Sequence, residues 1–466
     1  MPESLLDKLW NPHVVEALDD GLALLYVDRI LLYELTAVPS FEGLQRRGLG
    51  VRQPEAVLAV SDHAVSTRSD RTADSVPAVQ DLLATFARQA RAAGITHLDI
   101  DDPRQGIVHV VAAEQGFALP GATIVCGDSH TCTLGALGAL AFGVGSSDLQ
   151  QALATRTVTV RKPEAVRIAI EGALGRGAYA KDLALYLLRE LGTAAGEGAA
   201  IEYTGAAVAA MTMDERMTLA NMTAELGARY ALIGVDEATL AYVSERQTGL
   251  TGPLLDHARA HWRELCSDPG AAFAREYAFD ATAVSPRITW GTSPAQSVAI
   301  DEAVPRVSSA SPAEAQRWEA TLAYMGLREG QSLLGERVDV VFIGSCTNSR
   351  LSDLRAAAAV VRGRRRAAHV RALVVPGSEQ VRRAAQAEGL DRVFVEAGFE
   401  WRRAGCSMCV AANDDRVASG ERCVSTSNRN FPHRQGYGAR THLASPATAA
   451  ACAIAGVIAD VREFVP

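Results

Sequence analysis

Three cysteines in two short segments could bind a metal ion or an iron–sulfur cluster. Cys346 lies in the segment GSCTN (344–348), directly after an apolar run, and Cys406 and Cys409 form a C-x-x-C pair. Structural zinc and fully ligated iron–sulfur cubes both favour four ligands. Three thiolates suit a cube in which one iron stays open, and an open iron can act as a Lewis acid on a substrate oxygen.

Each cysteine also has a simpler interpretation, because free cysteines are common as small buried apolar residues. The glycine-containing turn around Cys346 favours a metal centre, since backbone N–H groups in such a turn can converge on a thiolate. We therefore predict that these three cysteines bind the metal. The other five are predicted not to be ligands, namely Cys126, Cys132, Cys266, Cys423 and Cys452.

Two further segments combine a carboxylate with an imidazole at the end of a predicted strand. Asp62 and His63 are adjacent, and Asp128 and His130 flank a serine. Elimination of water from a hydroxy acid needs a positioned acid to protonate the leaving oxygen. A single histidine of this kind is more often structural, but two such segments together with three candidate thiolates favour catalysis.

Several motifs together resemble the aconitase superfamily. They are GDSHT (127–131), GSCTNS (344–349), GCSMC (405–409) and STSNRNF (425–431). The resemblance runs nearly end to end, from Leu5 to Asp460, and is strongest to the large-subunit branch that dehydrates isopropylmalate. It implies interconversion of 2-isopropylmalate and 3-isopropylmalate through 2-isopropylmaleate, in leucine biosynthesis.

The resemblance also implies roles for individual residues. Asp62 and His63 would donate the proton to the leaving hydroxyl, and Asp128 and His130 would hold that hydroxyl or water. The catalytic set is Asp62, His63, His109, Asp128, His130 and Glu225; the substrate-binding set is Ser129, Asn428, Arg429 and Arg434; the cluster ligands are Cys346, Cys406 and Cys409.

The fold, cofactor and partner follow from the same resemblance. We expect three α/β/α domains around a central iron–sulfur cleft that holds one [4Fe-4S] cluster with one open iron. The swivel domain of the family would be absent from this chain. A separate small subunit would carry that domain together with the serine that removes the C–H proton from the hydroxy-dicarboxylate substrate, so this chain would be inactive alone.

Five positions depart from the usual dehydratase pattern and leave the substrate open. They are Tyr33, Cys132, Leu134, Pro432 and His433. A related substrate, such as 2-methylmalate with citraconate or homoaconitate, remains an alternative. Two other classes are an iron-sensing RNA-binding protein and a redox or structural metal protein, of which the second would need four ligands.

Composition narrows these classes. Of the 466 residues 48% are hydrophobic and 21% charged, as in soluble globular proteins, and the net charge of −8 argues against nucleic acid as a partner. No apolar run reaches the roughly 18 residues of a membrane-spanning helix. The eight cysteines do not form a disulfide framework in so long a chain, so a cytoplasmic location is expected.

Periodicity predicts an α/β chain. Apolar runs predict buried strands over 22–27, 57–60, 107–111 and 122–126, and helical spacing predicts a helix over 77–93. The glycines at 135, 138, 143 and 145 lack a phosphate-loop pattern and predict close packing. The arginine-rich run 362–366 predicts a solvated helix end.

We predict three domains. They are an aconitase-like α/β domain over 1–162, a second over 163–285 with a helical insertion at 240–283, and a third over 286–466 that carries the cluster cysteines.

Overall fold

The computed structural model describes residues 1–72, 74–246 and 248–465, so Ala73, Gln247 and Pro466 lie outside the described part. By its internal contacts the chain forms two units, each assembled from separate stretches of sequence. Unit 1 comprises residues 1–64, 74–172 and 194–280, and unit 2 comprises residues 65–72, 173–193 and 281–465.

Helices and strands alternate along most of the chain. The helices are α1 (Leu5–Trp10), α2 (Glu34–Arg46), α3 (Gln80–Ala92), α4 (Val108–Glu114), α5 (Ser146–Thr155), α6 (Ala180–Leu191), α7 (Ala206–Ala210), α8 (Met213–Met222), α9 (Glu237–Ser244), α10 (Gly252–Trp262), α11 (Pro312–Met325), α12 (Leu351–Val361), α13 (Glu379–Ala387), α14 (Leu390–Glu396) and α15 (Pro446–Ala455). The strands are β1 (Val14–Ala17), β2 (Leu22–Tyr26), β3 (Arg29–Tyr33), β4 (Val57–Val60), β5 (Thr96–Leu98), β6 (Thr123–Cys126), β7 (Leu140–Gly143), β8 (Thr157–Arg161), β9 (Glu164–Glu171), β10 (Ala199–Thr204), β11 (Tyr230–Ile233), β12 (Arg275–Asp280), β13 (Arg287–Thr289), β14 (Ser297–Ala299), β15 (Val340–Ile343), β16 (Arg371–Val374), β17 (Glu400–Trp401), β18 (Arg422–Ser425) and β19 (Arg440–Leu443).

The first sheet of unit 1 is parallel, with the strand order β5-β4-β3-β6-β7. All four residues of β4 and of β6 are buried, as expected for strands that are covered on both faces. Because the strands are parallel, the carboxyl ends of β3, β4 and β6 lie at one edge of the sheet. Ligand sites of α/β proteins form at this kind of edge.

Unit 1 contains two further sheets. One is parallel with the order β11-β10-β9-β12, and the other is antiparallel with the order β1-β2-β8. Strand β11 is buried throughout and β10 is buried except at Thr204, whereas β12 alternates between half-buried and exposed residues.

Unit 2 is built on a parallel sheet with the order β17-β16-β15-β18-β19. Central strand β15 is buried throughout and contributes Val340 and Phe342 to an apolar core that also contains Leu373, Met408 and Cys423. Strands β13 and β14 form a short antiparallel ribbon. The α/β class with parallel sheets is therefore as predicted.

Most predicted elements are confirmed. The strands predicted over 22–27, 57–60 and 122–126 are β2, β4 and β6, and the helix predicted over 77–93 is a short 3-10 turn followed by α3. Helix α3 buries Leu83, Phe86 and Ala90, which share one face at the helical period. Among the described residues, no helix combines the length and the apolar character that a membrane crossing requires.

The strand predicted over 107–111 was wrong, because this segment begins helix α4. Asp62 Oδ2 accepts a 2.9 Å hydrogen bond from the backbone N–H of Val108 in the first helical turn. A carboxylate at this point pairs one of the free N–H groups of a helix start and is favoured by the helix dipole. A short apolar run cannot by itself distinguish a buried strand from a buried helix.

The segment 240–283 is only partly helical. It contains the end of α9 and all of α10, but β12 then pairs in parallel with β9 and completes the second sheet. The segment is therefore not a purely helical insertion, and its residue Gln247 lies outside the described part.

Each predicted domain range holds its own parallel sheet. The first sheet lies within 1–162, the second within 163–285 and the third within 286–466. The division into two units is coarser, since the first two sheets share unit 1. The three-domain boundaries stay a prediction.

The arginine-rich run follows the end of α12, as predicted for a solvated helix end. Four of its five residues are exposed. Arg364 Nη1 donates to the carbonyl of Phe464 at 3.3 Å, and Arg366 Nε donates to the carbonyl of Gly398 at 2.6 Å. Both guanidinium groups thus bind backbone oxygens of the protein.

Close packing is confirmed for three of the four glycines, namely Gly135, Gly138 and Gly143. A Cβ on Gly135 would lie 1.7 Å from the carbonyl oxygen of Ala231 in β11, and a Cβ on Gly143 would lie 2.6 Å from that of Asp128. Gly145 differs, since its nearest neighbour would be a side-chain oxygen at 3.8 Å.

We expect Gly135→Ala to destabilise the chain by about 3 kcal/mol, the upper end for overpacking, because its Cβ meets backbone that cannot move freely. Gly145→Ala is the matched control and should cost less than about 1 kcal/mol, the loss of a preferred N-cap residue. Urea denaturation followed by circular dichroism would measure both, and equal midpoints would contradict the packing argument.

Candidate active site

Three strand ends bring titratable side chains to the same edge of the first sheet. Asp62 and His63 follow β4, and Asp128 follows β6, on either side of central strand β3. Strand β3 itself ends in Tyr33, directly before Glu34 at the start of α2. The parallel arrangement therefore explains why residues far apart in sequence meet here.

The six predicted catalytic residues lie together in unit 1, and we call them the carboxylate–histidine ring: Asp62, His63, His109, Asp128, His130 and Glu225. Asp128 lies at its centre, with its carboxylate 3.4 Å from His63 Nε2, 3.4 Å from His109 Nε2 and 3.2 Å from His130 Nδ1. Their meeting is a geometric finding, and their catalytic roles stay predictions.

The electrostatics of Asp128 follow from these contacts. Burial alone would raise the pKa of Asp128, but hydrogen bonds with His109, His130 and His63 outweigh burial and hold this pKa well below its ordinary value. Asp128 is therefore a carboxylate at neutral pH.

His63 and His130 are each oriented by a further carboxylate besides Asp128. His63 Nδ1 bonds to Asp62 Oδ1, and His130 Nε2 lies 3.0 Å from Glu225 Oε1. A carboxylate on one ring nitrogen fixes the orientation of the imidazole and decides which nitrogen faces the reaction. His63 therefore presents Nε2 toward Asp128.

The three predicted cluster ligands lie in unit 2, and we call them the thiol triad: Cys346, Cys406 and Cys409. All three are buried. Ser345 Oγ donates to Cys409 Sγ at 3.3 Å, and Asn428 Nδ2 donates to Cys346 Sγ at 3.3 Å. Buried thiols that already receive hydrogen bonds fit a role as thiolate ligands, because such donors stabilise charge on sulfur.

The loop of the C-x-x-C pair is fixed by a polar network. Ser407 lies between the two cysteines and donates to Asp415 Oδ2 at 2.8 Å, and Thr67 donates to the same oxygen at 2.5 Å. Asn413 Nδ2 donates to the carbonyl of Ser407 at 3.2 Å. These bonds hold the loop without any metal.

A second network fixes the approach to this loop. The buried carboxylate of Glu379 lies 3.2 Å from Arg403 Nε and 3.8 Å from Arg71 Nη2. Arg71 Nη1 also donates to the carbonyl of Ala404 at 2.6 Å. The residues directly before the C-x-x-C pair are therefore held by buried charge.

Burial argues against a ligand role for three of the other five cysteines. It raises the pKa of Cys452 to about 12, and it raises the pKa of Cys126 and Cys423 far above the ordinary value. A metal ligand must be a thiolate. Cys132 donates to the carbonyl of Ala220 at 3.3 Å, and Cys266 is exposed.

The predicted substrate residues are not one group. Asn428 is fully buried, and its amide faces the thiols of Cys346 and Cys409 rather than open space. Ser129 is exposed and lines a cavity of about 340 Å³ in unit 1, outside the carboxylate–histidine ring. Their roles in substrate binding stay predictions.

The two predicted arginines are partly exposed on the segment that follows Asn428. The guanidinium of Arg434 lies over the ring of Phe431, 5.3 Å from its centroid. Arg434 Nε has no hydrogen-bond partner among the described residues. Its binding of a substrate carboxylate stays a prediction.

Sequence reasoning missed two buried charged residues. Glu34 is fully buried and accepts hydrogen bonds from the backbone N–H of Asp62 at 3.1 Å and of Ala64 at 2.5 Å. Lys181 in unit 2 is fully buried and donates to the carbonyl of Ser427 at 2.5 Å. Glu34 follows an apolar strand as Asp62 does, so the same pattern could have found it, whereas no pattern marks Lys181.

The carboxyl group of Glu34 has an unusually high pKa. Burial, with the neighbouring charge of Asp62, raises the pKa of Glu34 from 4.5 to about 7. Glu34 therefore holds the backbone on both sides of His63 while it exchanges its own proton near neutral pH.

Parallel sheets whose carboxyl ends carry acid–base groups define an α/β enzyme, which is the class that the fold and the ring indicate. The chain belongs to the aconitase family (aconitate hydratase), whose family model matches residues 7–456. The resemblance inferred from the sequence motifs is thus confirmed.

Two known proteins are similar to this chain. The 3-isopropylmalate dehydratase large subunit 1 of Bradyrhizobium diazoefficiens is 52% identical over 462 residues, covering 99% of this chain and 97% of that protein. The crystal structure of holo aconitase X from Thermococcus kodakaraensis is 10% identical, covers 90% of this chain and 88% of that one, and has a TM-score of 0.48.

Glu34→Gln should change how stability depends on pH. Between about pH 5 and 7 the folded parent keeps a proton on Glu34 that the unfolded chain has lost, so the parent loses up to about 3 kcal/mol across this window. The variant has no such group, and its advantage over the parent should grow as the pH rises.

Urea denaturation at four values from pH 5 to 8 would measure this difference. Glu42, an exposed carboxylate on the same helix, is the matched control, and Glu42→Gln should keep the slope of the parent. A parent and a Glu34→Gln variant with parallel pH curves would contradict the assignment.

Proposed function

We propose that this chain is the large subunit of a hydro-lyase that interconverts 2-isopropylmalate and 3-isopropylmalate through 2-isopropylmaleate, in leucine biosynthesis. The observation that carries this proposal is the 52% identity, over nearly the whole of both chains, to a 3-isopropylmalate dehydratase large subunit. The carboxylate–histidine ring and the thiol triad supply the acid–base and ligand groups that such a reaction requires.

The thiol triad would bind one [4Fe-4S] cluster in which one iron has no protein ligand. The donor set supports this, because the three thiols are buried, Cys346 and Cys409 accept hydrogen bonds, and burial raises the pKa of Cys126, Cys423 and Cys452. When bound, such a cluster supplies a Lewis acid for the hydroxyl and carboxylate oxygens of the substrate.

His63 acts as the general acid. Its Nε2 proton passes to the leaving hydroxyl oxygen as the C–O bond breaks, which releases water and leaves the imidazole neutral. Asp62 retains its bond to Nδ1 throughout and stabilises the protonated imidazole before the transfer. Asp62 is itself held by two hydrogen bonds. Its backbone N–H donates to Glu34, and its carboxylate accepts from the backbone N–H of Val108 in α4.

Asp128 and His130 hold the departing hydroxyl or the entering water. The carboxylate of Asp128 lies within 3.4 Å of nitrogens of three imidazoles, and His130 links it to Glu225. Water that enters in the reverse direction can therefore give up a proton to a connected set of bases. Arg429 and Arg434 bind the carboxylates of the substrate, for which a guanidinium fork is suited.

A small subunit with the swivel domain completes the enzyme and supplies the base that removes the C–H proton. The support is the name of the relative in Bradyrhizobium, which is a large subunit and so has a smaller partner. The location would be the cytoplasm, since all eight cysteines are free and most are buried, as reducing compartments allow.

A related alkylmalate remains a second candidate substrate. Of the five positions that depart from the usual dehydratase pattern, Cys132 and Leu134 have little bearing on substrate choice, because both are fully buried. Tyr33 is closer to the chemistry, since its ring centroid lies 4.3 Å from that of His63. Pro432 and His433 are exposed beside Arg434. Substrate choice would then depend on Tyr33 and on this exposed pair.

The test is a substrate panel with the reconstituted chain, alone and with its small subunit, followed at the alkene absorbance. We expect turnover of 2-isopropylmalate above that of 2-methylmalate, and only when both subunits are present. Cys406→Ser should lose the visible absorbance of the cluster together with activity. Full turnover by the isolated chain, or a retained cluster in Cys406→Ser, would contradict the proposal.

His63→Ala and His130→Ala should each lower kcat by roughly 10²-fold or more, the usual contribution of a positioned acid or base, with cluster content unchanged. His97 is the matched control, because it pairs with Ser61 at 2.9 Å outside the ring, and His97→Ala should keep a kcat near that of the parent. Steady-state kinetics with iron analysis would measure both quantities. A near-parent kcat in either ring variant would refute its role.

A further inference from the structure

Ser345, directly before Cys346, has an unfavourable backbone conformation. Its φ is 76°, in the left-handed region that glycine adopts readily and other residues avoid. Such a conformation is unfavourable and persists only where the surroundings of the residue fix it. Ser345 is also fully buried, so solvent does not explain the conformation.

The conformation has a clear structural result. It directs Ser345 Oγ to Cys409 Sγ, where the hydroxyl donates a 3.3 Å hydrogen bond. Cys409 lies 64 residues further along the chain, in the second cysteine segment. One side chain therefore connects the segment that holds Cys346 to the C-x-x-C loop.

Neighbouring bonds hold this turn in place. The backbone N–H of Gly344 donates to Thr426 Oγ1 at 2.9 Å, and Thr426 Oγ1 donates back to the carbonyl of Gly344 at 2.9 Å. Asn428 then binds Cys346 from the same strand end. The turn is thus fixed from β18 on one side and by the thiol on the other.

We propose that Ser345 is a positioning residue for the iron–sulfur cluster, whose hydroxyl pre-orders the two cysteine segments and donates to the sulfur of one ligand. The inference rests on the proposed function, because it requires that the thiol triad binds a cluster. A donor to a ligand sulfur stabilises the more negative, reduced state, so it raises the reduction potential. The hydrogen bond of Ser345 also slows loss of the cluster, because it keeps the two cysteine segments together when iron dissociates.

The same turn offers a matched control. Ser349 is fully buried three residues after Cys346, but its hydroxyl has no hydrogen-bond partner among the described residues. Ser349→Ala therefore removes a buried hydroxyl from the same turn without removing a bond to sulfur. Any effect of hydroxyl loss as such should be present in both serine variants.

The experiment compares Ser345→Ala, Ser345→Gly and Ser349→Ala in the full chain after anaerobic reconstitution with iron and sulfide. Alanine removes the hydroxyl and keeps the strained Cβ, whereas glycine removes both. A redox titration followed by electron paramagnetic resonance gives the potential of the cluster. The decay of visible absorbance in air gives its rate of loss.

We expect both Ser345 variants to have a lower reduction potential than the parent and to lose the cluster roughly 10-fold faster, as for other residues that support metal ligands. Ser349→Ala should match the parent. Without cluster, Ser345→Gly should melt above Ser345→Ala, because glycine relieves the strain. The glycine variant thereby keeps the test valid where the alanine variant folds poorly.

A Ser345→Ala variant with the potential and the loss rate of Ser349→Ala would overturn the inference and leave the proposed function intact. A parent chain that takes up no cluster under the same conditions would overturn both. The two failures are therefore distinguishable by the visible absorbance of the parent alone.

Discussion

The need to compensate the charge of the half-buried carboxylate of Asp128 organises the acid–base site of unit 1. A carboxylate that leaves water must be surrounded by donors, and Asp128 finds three imidazoles. These imidazoles come from the loop after β4, from α4 and from the turn after β6, while Glu225 follows α8. No single element contains the site, so its geometry depends on how the helices and the first sheet of unit 1 pack.

Asp62 shows how tightly this site and the fold are linked. One of its oxygens binds His63, and the other accepts from the first turn of α4, the helix that carries His109. The residue that orients one histidine therefore also fixes the start of the helix that delivers another. A change at Asp62 would disturb two imidazoles at once, so its effect on rate would not measure proton transfer alone.

The residues of the acid–base site were predicted more accurately from the sequence than some of the elements that position them. Aspartates and histidines directly after apolar runs indicated strand ends, and parallel strands bring such ends to one edge, which explains the success at Asp62 and Asp128. The error at 107–111 has a physical cause, because a short apolar run fits a buried strand and a buried helix equally, and the carboxylate that pairs the helix start belongs to Asp62, 46 residues away. The conformation of Ser345 was equally out of reach, since bonds to Thr426 and Cys409 decide it, not the local sequence.

Glu34 affects the balance of charge in the carboxylate–histidine ring, because it lies beside Asp62. The carboxyl groups of Asp62, Asp128 and Glu225 already lie in the ring, so a further negative charge beside Asp62 would be unfavourable. The raised pKa of Glu34 resolves this conflict, since the group can take up a proton near neutral pH. Its two bonds to backbone N–H groups do not depend on that charge, because a neutral carboxyl group still has acceptor oxygens. Glu34 can thus hold the loop of His63 in either protonation state.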